Sequence, residues 1–70
     1  MNSQTPIADR VRQRRKALGI SQRDLSELAG VSLHTLSDLE SGKANPTIAT
    51  LERVLLPLGM VLSIQVRGVE

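Results

Sequence analysis

Seventy residues with no cysteine and a single histidine make one small domain that neither disulfides nor a zinc cluster can staple. Its modest core is therefore expected to be helped by a partner subunit, in a reducing compartment such as the cytoplasm. Phe, Tyr and Trp are absent, which removes the stacking platforms that single-stranded nucleic acid needs. The net charge is only +2, yet Arg10, Arg12, Arg14, Arg15 and Lys16 put five of the nine basic residues in one stretch, the footprint of a polyanion binder or, more blandly, a solvated helix face.

Residues 1–4 are polar and read as a flexible terminus. Thr5 is placed to cap a first helix with Pro6 at its first position, where a missing N–H costs nothing. Ile7, Val11 and Leu18 recur at helical spacing, and Gly19 closes the segment. Arg15 falls four residues after Val11 and three before Leu18, on or beside the apolar stripe, so it needs a carboxylate partner.

Ser21 and Asp24 have the spacing of a capping box that opens a second helix. That helix runs to about Ala29, where Gly30 supplies a left-handed stop and Ser32 caps a third helix at once. Leu25, Leu28 and Ala29 form the inner face of the second helix, Leu36 and Leu39 that of the third, and Val31 fills the turn. Glu40 follows Leu36 by four and points inward, which predicts a partly buried Arg15/Glu40 ion pair with a structural role. So short a connection forces a steep crossing, the layout of a helix-turn-helix. One helix is then left free to project, with the diameter to enter the major groove of B-DNA.

If the third helix reads bases, its leading turn, Ser32, Leu33, His34 and Thr35, followed by Ser37 and Asp38, is the part that meets DNA. Ser32 and Thr35 can donate to phosphates or bases, Leu33 can press on a thymine methyl, and His34 or Ser37 can bond a base edge. Each could equally be a surface residue beside a cap, an alternative weakest for Leu33, whose apolar side chain there needs a contact. Asp38 either accepts from cytosine N4 or turns away toward His34. Gln22 and Arg23 open the second helix, where unclaimed N–H groups and the positive end of the dipole make Gln22 a phosphate clamp. Lys43, with the N–H groups of the Gly42 turn, is placed to grip another phosphate, and Ser41 beside it completes the set.

After a loop through Asn45 and Pro46, Thr47 caps a fourth helix carrying Ile48, Leu51, Val54, Leu55 and Leu58, which Pro57 and Gly59 should end near residues 56–58. The period then changes to two: Met60, Leu62, Ile64 and Val66 alternate with Val61, Ser63, Gln65 and Arg67. A lone strand exposes both edges, so its simplest resolution is pairing with the same strand of a second chain; irregular chain or a short fifth helix packed on the fourth is the competing solution.

No nucleophile set, metal spacing or phosphate-binding glycine loop occurs, and the nearest acid to His34 is Asp38, one turn on in the same helix, so catalysis, a metal and a cofactor are not expected. No signal peptide is visible and no apolar run approaches the ~20 residues that span a bilayer, so the chain reads as soluble and intracellular, with no membrane partner.

Gln22-Arg23-Asp24-Leu25-Ser26-Glu27-Leu28-Ala29-Gly30-Val31-Ser32, then Leu36-Ser37-Asp38-Leu39-Glu40-Ser41-Gly42-Lys43 and Pro46-Thr47-Ile48-Ala49-Thr50-Leu51, resembles the phage-repressor helix-turn-helix family (Cro/cI, also called XRE). The resemblance covers roughly residues 7–59. It implies a lambda-repressor-like domain of four to five short helices, phosphate binding by Gln22, entry of Ser32, Leu33, His34 and Ser37 into the major groove, and a paired Arg15 and Glu40. Many members continue into a fifth helix, whereas the alternating segment here is similar to the HipB-type antitoxins. In those, C-terminal strands of two subunits pair, and the dimer represses its own operon while binding a kinase toxin. Few residues follow this segment in the sequence, so a long tail for a toxin is not expected.

The expected fold is thus mostly α: a DNA-binding domain over residues 5–59, a dimerisation strand over 60–67 built on Met60, Leu62, Ile64 and Val66, and a tail over 68–70. The expected function is sequence-specific binding of double-stranded DNA by a homodimer on a palindromic operator, as a repressor that could autoregulate a toxin-antitoxin operon. The alternative is a protein-interaction module, an antitoxin whose main task is to neutralise a kinase-like toxin.

Overall fold

The structure, a computed structural model, describes residues 6–68. Four α-helices, α1 (Ile7–Ala17), α2 (Gln22–Ala29), α3 (Leu33–Ser41) and α4 (Ile48–Leu55), lead into one 3₁₀ turn, Leu56–Leu58. Helix α1 starts one residue later than the sequence suggests: Pro6 is its N-cap, and the Pro6 carbonyl accepts from the Arg10 N–H at 3.1 Å. The cap assigned to Thr5 lies outside the described residues.

Side chains from every helix meet in one core. Val11, Leu25, Leu36 and Val54 expose no surface, and Ala29, Leu39, Leu51, Leu55 and Leu58 are buried around them, with Ile20, Val31 and Met60 packed against the cluster. Each buried Leu or Val contributes about 1.5–3 kcal/mol relative to exposure. Helix α3 packs on α1 and α2, α2 also packs on α4, and the 3₁₀ turn closes against α1 and α2. Pro57 sits inside that turn and Gly59 ends it at φ +72°, where the helix stop was expected. The Arg14 guanidinium donates Nε–H to the Leu58 carbonyl at 2.9 Å, satisfying an acceptor that the end of a helix leaves over.

The apolar stripes are narrower than their periodicity implies. Ile7, Leu18, Leu28 and Ile48, all assigned to inner faces, are exposed, Leu28 by 66% and Ile48 by 69%. Leu28 lies about 60° round the helix from Leu25, whereas the buried arc of α2 extends the other way, through Ala29 and Ser26. The small Ser26 is tolerated there because its hydroxyl donates to the Arg23 carbonyl at 2.8 Å.

Beyond Gly59 the chain is irregular. The Met60 N–H bonds the Leu55 carbonyl at 3.1 Å and Met60 is half-buried, but Val61, Ile64 and Val66 are 86%, 100% and 81% exposed. Among the described residues none lies in a strand, so the element expected over residues 60–67 is not formed in the single chain. The physical reason is that a ladder needs a second edge, and helices supply none. Among the described residues no helix is long and apolar enough to cross a membrane.

Candidate nucleic-acid interface

The pair of helices at the centre of the chain is held by local hydrogen bonds of the expected kinds. The Ser21 hydroxyl accepts from the Asp24 N–H at 3.0 Å, and the Asp24 carboxylate accepts from the Ser21 N–H at 3.5 Å, a complete capping box. It serves the N–H of Asp24; those of Gln22 and Arg23, one and two positions into the helix, have no intrahelical acceptor. At the other end Gly30 takes φ +71° and the Val31 N–H bonds the Ser26 carbonyl at 3.0 Å, so that Ser32 caps α3 immediately.

That cap fixes what the leading turn of α3 can offer. The Ser32 hydroxyl accepts from the Thr35 N–H at 2.9 Å and donates to Thr35 Oγ1 at 2.8 Å. The Ser32 and Thr35 hydroxyls are therefore paired with each other at the start of the helix. Leu33 is 37% exposed, and His34 and Ser37 are open to solvent. His34 Nε2 lies 3.2 Å from Asp38 Oδ2. Of the two roles considered for Asp38, the structure has it turned to His34.

At the far end of α3, Gly42 adopts φ +81° and its N–H bonds the Leu39 carbonyl at 3.2 Å, while the Lys43 N–H bonds the Asp38 carbonyl at 3.0 Å. The N–H groups assigned to phosphate at this turn are thus already used to close the helix, and Lys43 can offer only its ammonium. The Ser41 hydroxyl likewise donates to the Asp38 carbonyl at 3.0 Å.

Between the two ends lies the predicted ion pair. Arg15 donates Nε–H to Glu40 Oε2 at 2.7 Å and Nη2–H to Oε1 at 3.0 Å, a two-pronged bond, and its Nη1–H reaches the Ile20 carbonyl at 2.9 Å. Glu40 is 2% exposed. The hydrogen bond to Glu40 holds the Arg15 pKa above its ordinary value against the opposing effect of burial. Burial pushes the Glu40 carboxyl up, but the hydrogen bonds from Arg15 and Gln22, with the charges of Arg15 and Arg12, outweigh it and leave Glu40 below the ordinary carboxylate value.

Three further contacts go beyond those expected from the sequence. Gln22 donates Nε2–H to Glu40 Oε1 at 3.1 Å, so the residue assigned to phosphate is anchored to the ion pair. Arg12 donates Nη1–H to the Glu40 carbonyl at 3.0 Å and pairs with Asp9 at 2.8 Å. Arg12, Arg14 and Arg15, part of the basic run of α1, are therefore hydrogen-bonded within the domain. The missed signal was spacing: Asp9 and Arg12 stand three apart on one helix, a common side-chain pair.

The structure brings Gln22, Ser37 and Ser41 together at one shallow, open cleft, with Arg12 and Lys16 beside them and the Arg15/Glu40 pair beneath. None of the side chains assigned to the reading turn, Ser32, Leu33, His34 or Thr35, lines that cleft. Arg23 is exposed on the first turn of α2.

Comparisons with known proteins bear on the helix-turn-helix itself. The sequence model of a family described as Helix-turn-helix matches residues 11–61. Over 50 residues the chain is 46% identical to an uncharacterized HTH-type transcriptional regulator of Haemophilus influenzae, covering 71% of this chain and 51% of that protein. Over 64 residues it is 33% identical to the HTH-type transcriptional regulator DdrOP3 of Deinococcus deserti, covering 91% and 50%. The HTH-type transcriptional regulator PuuR of Escherichia coli is 37% identical over 54 residues, covering 77% and 29%. The chain thus spans about half the length of the first two relatives. No solved structure matches it. With a capped helix pair at its centre and a family match spanning residues 11–61, the chain belongs to the XRE-type helix-turn-helix family of the phage repressors.

Proposed function

We propose that this protein is a transcriptional regulator that binds double-stranded DNA in a sequence-specific way, with α3 in the major groove. The observation that carries the reading is the uncovered leading turn of α3, where Leu33 and His34 face solvent although Leu36 and Leu39, on the same helix, are buried. Leu33 and His34 read base edges, Ser37 donates to a flanking phosphate, and Thr35 donates to a base or a phosphate. Gln22 and Arg23, at the start of α2, and Lys43, past the end of α3, contact the flanking phosphates. Ser32 and Ser41 shape the two ends of α3, and Asp38 orients His34.

The regulator acts as a homodimer and represses by occupying a palindromic operator, its two α3 helices entering successive major grooves about 34 Å apart. Its second subunit pairs through residues 60–67, where Val61, Ile64 and Val66 leave apolar surface that a second chain can cover. Selection of bound duplexes from a random pool tests this directly. Enrichment of an inverted repeat, with Leu33→Ala or His34→Ala relaxing the base preference and Gln22→Ala weakening all sites alike, is expected. A pool without enrichment, or equal loss on every sequence from all three changes, would overturn the reading.

The same apolar tail favours one second reading, an antitoxin that neutralises a kinase-like toxin, either as its main task or while repressing its own operon. Co-purification together with the duplex selection separates them: a stable complex with a second protein and no sequence preference supports the interaction module, and sequence preference without such a complex supports the repressor.

A further inference from the structure

We infer that Lys16 seats a phosphate of the DNA backbone in the cleft between α1, α2 and α3, an extension of the interface that rests on the DNA-binding reading above. The cleft is polar on every side, but its charges are unequal in availability. Arg15 and Glu40 are engaged with each other at 2.7 Å, and Arg12 is engaged with Asp9 at 2.8 Å and with the Glu40 carbonyl at 3.0 Å. Arg14 is directed to the Leu58 carbonyl, away from the cleft. Lys16 is exposed, lines the cleft, and forms no ion pair among the described residues.

A phosphodiester needs one cation and several donors, and the cleft supplies both. The Ser37 hydroxyl and the second Nε2 proton of Gln22 lie on the same cleft as Lys16, since Gln22 uses only one of its amide protons on Glu40. Duplex DNA is the source that fits the placement. An α-helix of about 10–12 Å diameter fills a major groove about 12 Å wide, so the phosphates that wall the groove lie against whatever flanks the helix. Ser37 and Ser41 belong to α3, and what flanks them across the cleft is Arg12 and Lys16 of α1.

The basic run of α1 thereby divides by face. Arg10, about 120° round the helix from Lys16, lies beside Met60 and Leu62 and not in the cleft. The test compares Lys16→Gln with Arg10→Gln, which remove the same charge from the same helix, in the full chain binding a fluorescently labelled duplex of mixed sequence across a series of salt concentrations. Lys16→Gln should lower the slope of log affinity against log salt by about 0.9 per subunit bound, with Lys16→Arg restoring it. Arg10→Gln should leave the slope at the wild-type value, and both variants should melt like the wild type. An unchanged slope in Lys16→Gln, or an equal fall in Arg10→Gln, would overturn the inference while leaving DNA binding intact. Wild-type protein that binds no duplex would instead remove the reading beneath it.

Discussion

Glu40→Ala strands a cation inside the domain. Glu40 is 2% exposed and accepts from Arg15 at 2.7 and 3.0 Å and from Gln22 at 3.1 Å. Alanine leaves the Arg15 guanidinium, whose side chain is 11% exposed, with the Ile20 carbonyl at 2.9 Å as its remaining acceptor. Removing one partner of such a pair costs about 3–5 kcal/mol. A domain of this length has roughly 3.5–10 kcal/mol in total, at about 0.05–0.15 per residue, so the single change should abolish a third or more of its stability. Arg15→Met alone should cost less, because a stranded carboxylate can take up a proton and a guanidinium cannot release one. The double change Arg15→Met/Glu40→Leu removes both charges and should recover most of the loss, as apolar replacements of buried pairs do. Urea unfolding followed by far-UV circular dichroism measures all three; the chain has no Trp or Tyr and gives no useful intrinsic fluorescence. If the double variant loses as much as the two single variants added together, or if Glu40→Ala costs under about 1 kcal/mol as an exposed pair would, the pair does not hold the domain together.

Two other perturbations test the packing and the charge. Leu36→Ala, at a residue with no exposed surface, should cost about 2–5 kcal/mol, whereas Leu28→Ala, 66% exposed, should fall within about 0.5 kcal/mol; equal thermal shifts would contradict the assignment of the α2 face. Because the Glu40 carboxyl is held below its ordinary value, its contribution is fully present above about pH 4.3, the usual glutamate value, and is lost as pH falls through the lower native value. Arg15 adds no such dependence, since its raised pKa keeps it charged throughout. Stability should therefore fall on acidification below pH 4 in the wild type and fall less in Glu40→Gln, as read from urea midpoints across that range.

The parts of this fold legible in the sequence are those decided within a few residues. The Ser21/Asp24 box, the Gly30 stop, the Ser32 and Thr47 caps and the end at Gly59 depend on local hydrogen bonds and a positive φ, which residue type and spacing specify. The Arg15/Glu40 pair was legible for a related reason: both charges fell on apolar stripes, and a buried charge demands its opposite. What spacing does not give is which flank of a stripe a neighbour covers, and Leu28 and Ile48 were misplaced on that account. Nor does it reveal that a carbonyl elsewhere in the fold will accept from a side chain, so Arg12 and Arg14 read as free charge although they bond Glu40 and Leu58. The alternation over residues 60–67 is a pattern whose partner strand cannot come from these helices.

Glu40 also links the fold to the interface, since Arg15 Nη2 and Gln22 Nε2 share its Oε1 at 3.0 and 3.1 Å. An exposed glutamine that must be immobilised on binding loses side-chain entropy, about 0.5–1.5 kcal/mol for a residue of this kind, whereas one already fixed by a neighbour does not. The Arg15→Met/Glu40→Leu variant separates the two roles: it should fold, yet bind every duplex about two- to tenfold more weakly for each subunit bound, roughly the equivalent of that entropy. Its base preference should be unchanged, because Leu33 and His34 lie outside the cleft. A stable double variant that binds duplex as tightly as the wild type would show that Gln22 takes no bearing from Glu40, and the hydrogen bond at 3.1 Å would then serve the fold alone.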